Sequence, residues 1–139
     1  MSKLYHILVV PVLDYAAVVY HYLLTNEQAS ELERLQATAL KIIWGFRYSY
    51  KELLELSGSD TLYDRRLKLV DGFLKKAVNN ERFRCEWFRM KSFCHINLRK
   101  ELFYEEKFAR TDRLYMSPLY CMRRRLNEGI IPGVKPSSD

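Results

Sequence analysis

The chain has 139 residues, of which 48% are hydrophobic and 29% charged, a composition typical of one folded domain rather than of a disordered chain or a two-domain enzyme. Its formal charge of +6 is uneven, because residues 82–125 hold twelve Lys and Arg against five Asp and Glu, whereas residues 1–81 hold ten of each. This basic third favours a polyanionic partner, nucleic acid before a membrane surface, and a basic face that meets only solvent is the alternative.

Residues 3–24 carry apolar and aromatic side chains at helical spacing, which predicts a buried helix. Asp14 and His21 lie inside this stretch, and ionisable side chains are costly in hydrocarbon. We therefore expect a core helix and no membrane partner. Pro11 lacks a backbone N–H and should kink the helix or mark its start.

Residues 31–56 organise the chain as a helix, a glycine stop and the start of a second helix. The apolar stripe of the first helix, which we expect to be buried, consists of Leu32, Leu35, Ala39, Ile42, Ile43 and Phe46. Gly45 should end this helix. Capping boxes are predicted at Thr25 with Gln28 and at Ser49 with Glu52.

A third long helix is predicted after Gly58, with Ser59, Asp60 and Thr61 as candidate N-caps and with its end at Asn79 and Asn80. Asp60 and Asp64 could hold a hard cation, but both also suit the first turn of a helix. These helices predict an all-α protein, a small bundle of three main helices and a short one within residues 1–81.

Residues 82–129 interleave basic and aromatic side chains, which predicts a basic, partly irregular helical segment packed on the bundle. Residues 110–113 read as a turn, and Ser117 with Pro118 should open a terminal helix that ends near Gly129. Residues 130–139 are rich in Pro and Ser and are expected to form a flexible tail.

The three cysteines, Cys85, Cys94 and Cys121, form no close pair, so we expect reduced thiols in a cytoplasmic or nuclear protein. Zinc ligation by these residues with His95 lacks the usual ligand spacing, and we predict no metal site. The sequence contains no phosphate-binding glycine loop and no adjacent Asp pair of the kind that holds metals in polymerases. We therefore predict no catalytic residue, no cofactor and no small-molecule substrate for this chain.

The basic segment supplies the candidate nucleic-acid contacts, which are Arg84, Arg89, Lys91, Arg110, Arg113, Arg123, Arg124 and Arg125. Three successive arginines cannot share one helix face, so at least one of the last three should point to solvent. Trp87, Phe88 and Phe93 could stack bases, although aromatic residues at this density are more often core.

Four blocks of the sequence together resemble the C-terminal segment, beyond the polymerase palm, of a jockey-like non-LTR retrotransposon reverse transcriptase. They are LYHILVVPVLDYAAVVY (residues 4–20), ELERLQATALKIIWG (residues 31–45), YKELLEL with TLYDRR (residues 50–66) and FARTDRLYMSPLYCMRRRLNE (residues 108–128). Two departures are Tyr20, where such sequences usually have Trp, and Ser59-Asp60, which replaces the usual Leu-Pro.

The resemblance implies a parent RNA-directed DNA polymerase that uses magnesium and whose catalytic acidic motif would lie upstream of residue 1. This chain would then be a non-catalytic fragment of a transposable element that contributes to binding RNA or DNA, next to the upstream polymerase domain if expressed with one. The alternative function is a helical protein-interaction or structural domain with a basic surface.

Overall fold

The computed structural model describes residues 2–89, 104–106 and 109–129, and no strand occurs in these ranges. The predicted all-α class is therefore confirmed. The helices are α1 (Ser2–Leu4), a π-helical turn (Tyr5–Val9), α2 (Val10–Asp14), α3 (Ala17–Tyr20), α4 (Asn26–Trp44), α5 (Tyr50–Ser57), α6 (Leu62–Asn79), α7 (Glu81–Trp87), α8 (Asp112–Tyr115) and α9 (Pro118–Asn127).

The chain divides into two compact units, residues 1–70 and residues 71–139, and the division falls inside α6. The boundary that the sequence places at residue 81 stays a prediction. The proposed flexible tail, residues 130–139, lies outside the described residues, as do Lys91, Phe93, Cys94 and His95.

The N-terminal segment remains helical at Pro11 because a π-helical turn precedes this residue. The N–H of Val10 donates to the carbonyl of Tyr5, five residues back, in the wider turn of a π-helix. The break falls instead at Ala16, whose φ of 54° is left-handed, a conformation that costs a residue with a Cβ about 1–2 kcal/mol. Pro11 therefore does not kink the segment but lies in the first turn of α2, as the alternative prediction of a helix start at this residue expects.

The prediction that this segment is buried is also wrong. Only Tyr5, Val10 and Ala17 are buried in it. The outward-facing side chains are between 54% and 81% exposed, and they are Leu4, Ile7, Leu8, Val12, Tyr15, Val19 and Leu23. The segment therefore has a narrow buried side and a broad apolar surface.

The predicted caps of α4 and α5 are confirmed. Thr25 with Gln28 and Ser49 with Glu52 each form a capping box with both reciprocal hydrogen bonds. At the end of α5, Gly58 is left-handed with φ of 63°, and the N–H of Ser59 donates to the carbonyl of Leu54 at 3.1 Å. These bonds satisfy carbonyls that the last turn of a helix leaves open.

The face of α4 that the core selects overlaps the predicted stripe only in part, at Ala39 and Ile43, which pack partly buried against the core. Gln36 and Leu40 are the buried residues of this helix, and Leu40 clusters with Tyr5, Val10 and Leu53. Two members of the predicted stripe form what we call the outer face of α4, namely Leu35 and Ile42, at 60% and 70% exposure, and a third, Phe46, lies beyond the end of the helix at 75% exposure. Their predicted burial is wrong, because Tyr5, Val10 and Leu53 pack against the adjacent side of the helix.

The start of α6 is capped by Thr61, whose Oγ1 accepts from the N–H of Asp64 at 3.2 Å. Asp64 in turn accepts from the Thr61 hydroxyl at 2.7 Å, and Asp60 forms an ion pair with Lys68. Both acidic residues therefore have structural partners at the helix start. The buried side of α6 contains Leu62, Arg66, Val70, Leu74 and Ala77.

Two charged residues in unit 1 have contrasting surroundings. Asp14, at the end of α2, accepts two hydrogen bonds from Nε of Arg65 at 3.0 and 2.7 Å, which accounts for an acidic residue in an apolar stretch. Arg66 is only 1% exposed, and its Nε and Nη1 have no hydrogen-bond partner among the residues that the structure describes. Burial of these two nitrogens without partners is unfavourable for stability.

Candidate nucleic-acid interface

The basic unit, residues 71–139, begins with the second half of α6 and continues into α7. Asn80 caps α7 by accepting from the N–H of Arg82 at 3.1 Å. At the other end, Nε of Arg123 donates to the carbonyl of Trp87 at 2.8 Å. A guanidinium at this place is favoured because the C-terminus of a helix carries partial negative charge. α7 itself was not predicted, although Asn followed by Glu is a local signal for a helix start.

The turn after α7 is anchored by a buried aromatic pair. The rings of Phe88 and Tyr104 meet edge to face with centroids 6.3 Å apart, and both residues are at most 2% exposed. The side chain of Asn127 accepts from the N–H of Tyr104 at 2.8 Å and donates to its carbonyl at 3.1 Å. Phe88 is therefore a core residue, and the prediction that it could stack on a base is wrong.

Arg84, Cys85, Phe88 and Arg89 line a cavity of about 420 Å³, which we call the α7 groove. Arg84, Cys85 and Arg89 are exposed, whereas Phe88 is fully buried and forms its floor. The N–H of Glu105 donates to the carbonyl of Arg89 at 3.0 Å, which fixes the backbone at the rim of the groove. Neither arginine forms an ion pair within the described ranges.

The three successive arginines of α9 each have an intramolecular partner. Arg123 bonds to the Trp87 carbonyl, and the guanidinium carbon of Arg124 lies 4.9 Å from the centre of the Tyr115 ring. Arg125 makes a two-pronged ion pair with Asp71, with Nε–Oδ1 at 2.6 Å and Nη2–Oδ2 at 2.9 Å.

The accessibility of this run therefore differs from that of the other candidates. Arg125 has a side chain only 16% exposed, whereas that of Arg124 is 39% exposed. Arg110 and Arg113 are exposed, at the loop before α8 and within α8. The structure brings Arg84 and Arg89 to one groove, and Lys91 lies outside the described residues.

Two ionisable groups of the unit are perturbed by burial. Desolvation raises the pKa of the Tyr104 hydroxyl, and the nearby positive charge of Arg84 partly opposes this. Burial likewise raises the pKa of the Cys121 thiol, against the influence of Arg124. Cys121 Sγ donates to the Tyr115 carbonyl at 3.4 Å, so this thiol is part of the packing of α9 rather than a nucleophile.

Within the described ranges, no group of three or more His, Cys, Asp or Glu side chains is arranged to hold a metal ion. None of the helices described is both long enough and apolar enough to cross a membrane.

Two residues of this unit that sequence reasoning missed hold it together. Asp71 forms an ion pair with Arg125, which lies 54 positions later in the chain. Asn127 connects α9 to Tyr104 and to Glu106 by hydrogen bonds. No local signal identifies either residue, because both act on partners that are distant in the chain. Comparison with protein-family models, with curated proteins and with solved structures finds no match for this chain.

Proposed function

We propose that this chain is a non-catalytic C-terminal part of a retrotransposon RNA-directed DNA polymerase and that it contributes to nucleic-acid binding through its basic unit. The family assignment rests on the four sequence blocks given above. The binding role rests on one observation, the exposed arginines of residues 82–125 that have no ion pair among the described residues. They are Arg84, Arg89, Arg110 and Arg113.

These arginines can act on phosphates because their charge is not already neutralised. Arg125, by contrast, would have to give up Asp71 before it could bind a phosphate. Arg123 donates to a carbonyl, and Arg124 lies against an aromatic ring and pairs with Glu128 at 3.8 Å, so the geometry of both side chains is constrained. We therefore assign phosphate binding to the four exposed arginines rather than to Arg123, Arg124 and Arg125.

Salt-dependent titration of the full chain against labelled RNA and DNA tests this proposal. The logarithm of the binding constant should fall linearly with the logarithm of salt between about 50 and 200 mM. Replacing Arg110 and Arg113 by Gln should weaken binding for unrelated sequences and lower the slope by up to about one unit for each phosphate that is no longer bound. The matched control replaces Arg47 and Lys51, two exposed residues of the neutral unit, by Gln.

The control pair should change neither affinity nor slope. If the parent chain does not bind, the nucleic-acid role is wrong, and if both pairs lower the slope equally, binding does not depend on the basic unit. The non-catalytic part of the proposal has its own test, since template-directed primer extension with magnesium should not exceed that of a heat-inactivated sample.

A second candidate function is a protein-interaction domain, favoured by the apolar surface of unit 1. The outer face of α4 and the outward-facing side chains of the N-terminal segment are large apolar groups at 54–81% exposure. Surfaces of this kind mark protein contacts when they are contiguous. An upstream polymerase domain is the partner that the sequence resemblance implies.

Replacing Leu35 and Ile42, on the outer face of α4, by the uncharged residue Gln separates this function from nucleic-acid binding. Association through an apolar face should be abolished in the variant and should persist at high salt in the parent, as measured by sedimentation velocity. Phosphate binding should instead be unaffected by these two changes. A parent chain that stays monomeric and binds no polypeptide would remove the second candidate.

A further inference from the structure

We propose that the α7 groove binds one phosphodiester group of a single-stranded nucleic acid, held between the guanidinium groups of Arg84 and Arg89. This inference deepens the proposed nucleic-acid role and rests on it. It assigns a particular site to that role, at the C-terminal end of α7, where Arg123 bonds to the Trp87 carbonyl and offsets the partial negative charge of the helix end.

The size and the charge of the groove fit this ligand. Its volume of about 420 Å³ is within the range of pockets that hold small ligands, so it can take a phosphate with its sugar. Arginine presents a planar set of donors that matches phosphate oxygens, and charge-assisted bonds of this type are roughly twice as strong as neutral ones. Neither Arg84 nor Arg89 has a carboxylate partner among the described residues that the phosphate would have to displace.

The floor and the rim of the groove are held before any ligand arrives. Phe88 is fixed by the edge of the Tyr104 ring, and the backbone of Tyr104 is fixed by Asn127. The carbonyl of Arg89 is bonded to the N–H of Glu105. Because these groups are already ordered, binding would restrict only the two arginine side chains, which lowers its entropic cost.

The shape favours a single strand over a duplex. The groove residues that the structure describes lie at the C-terminal end of α7, a helix of seven residues. A single strand can place one phosphate in such a groove and turn its bases away, whereas a duplex keeps its phosphates on a rigid helical path.

Cys85 supplies a reporter because its thiol is exposed and lines the groove. Alkylation of Cys85 by a maleimide, followed by peptide mass spectrometry, distinguishes it from the other two cysteines. A saturating single-stranded oligonucleotide should slow modification of Cys85 at least tenfold. Inorganic phosphate at the same phosphate concentration should not slow this modification, since it lacks the neighbouring contacts of a longer strand.

Replacing Arg84 and Arg89 by Gln should weaken oligonucleotide binding about tenfold or more, because two charge-assisted contacts to the phosphate are lost. Protection of Cys85 should disappear at the concentration that saturates the parent. The matched control is Arg82→Gln, since Arg82 lies on the same helix, pairs with Glu86 at 3.8 Å and does not line the groove.

The outcomes separate the site from the general role. If the parent binds but Cys85 stays reactive and the double variant binds equally well, the groove is not the site and the proposed function survives. If the parent binds no nucleic acid, the proposed function fails and this inference fails with it. Equal protection by inorganic phosphate or by polyglutamate would also overturn the inference, since it would indicate a free-anion or acidic-protein site.

Discussion

The choice of face on α4 gives the sharpest test of the fold, through the pair Leu40→Ala and Ile42→Ala. Leu40 is 0% exposed and packs with Tyr5, Val10 and Leu53, so removing three carbons leaves a cavity. Such changes cost about 2–5 kcal/mol. Ile42 is 70% exposed, and full burial of an Ile side chain is worth about 1.5–3 kcal/mol. The buried part of the Ile42 side chain therefore contributes about 0.5–1 kcal/mol to stability. The better helix propensity of Ala offsets part of this loss in the variant.

Urea denaturation followed by circular dichroism measures both free energies of unfolding. The slope m for a chain of this size is about 1–3 kcal/mol per M, so Leu40→Ala should lower the midpoint by about 1 M or more or prevent folding, whereas Ile42→Ala should hardly move it. Low protein concentration keeps association through the outer face of α4 out of the measurement. A larger loss for Ile42→Ala than for Leu40→Ala would show that the sequence stripe, and not the observed face, packs into the core.

Three further predictions concern charged and ionisable side chains. Arg125→Gln should destabilise the chain by about 1–3 kcal/mol in thermal unfolding, because it leaves the half-buried Asp71 carboxylate unpaired. Arg66→Met should leave stability unchanged or raise it by up to about 4 kcal/mol, since it removes a buried guanidinium whose Nε and Nη1 lack partners among the described residues. Burial and the hydrogen bond to Glu33 raise the pKa of the Tyr50 hydroxyl. Its contribution to stability should be present below the ordinary tyrosine pKa of about 10 and fall as pH rises above it, so Tyr50→Phe should flatten the alkaline limb of a melting-temperature profile.

Each of these predictions has a distinct opposing outcome. Arg124→Gln is the control for Arg125, because its side chain is 39% exposed and its pair with Glu128 is 3.8 Å long, so it should cost less than about 1 kcal/mol. Equal losses for the two would contradict the role of the Asp71 pair. A loss above about 2 kcal/mol for Arg66→Met would show that the guanidinium is well solvated or paired. An unchanged alkaline limb in Tyr50→Phe would show that this hydroxyl titrates like one in water.

The residue pattern alone predicted those features that depend on neighbours within four positions. Thr25 with Gln28, Ser49 with Glu52 and the helix end at Gly45 were all predicted correctly, because caps and helix stops join groups that are three or four residues apart. The all-α class followed for the same reason, since helical periodicity is itself local. The charge asymmetry behind the candidate interface is also a property of the sequence.

Only the tertiary structure decided which of the available faces and charges are used. α4 carries apolar residues over more than one face, and its contact with Tyr5 and Leu53 selected Leu40 over Ile42. The run of arginines in α9 offered three equivalent charges, and a partner 54 positions away set Arg125 apart. Periodicity in the sequence indicates how wide an apolar or basic surface is. The residues that cover part of that surface are distant in the sequence. Only the folded chain therefore shows which side is buried and which charges have no partner.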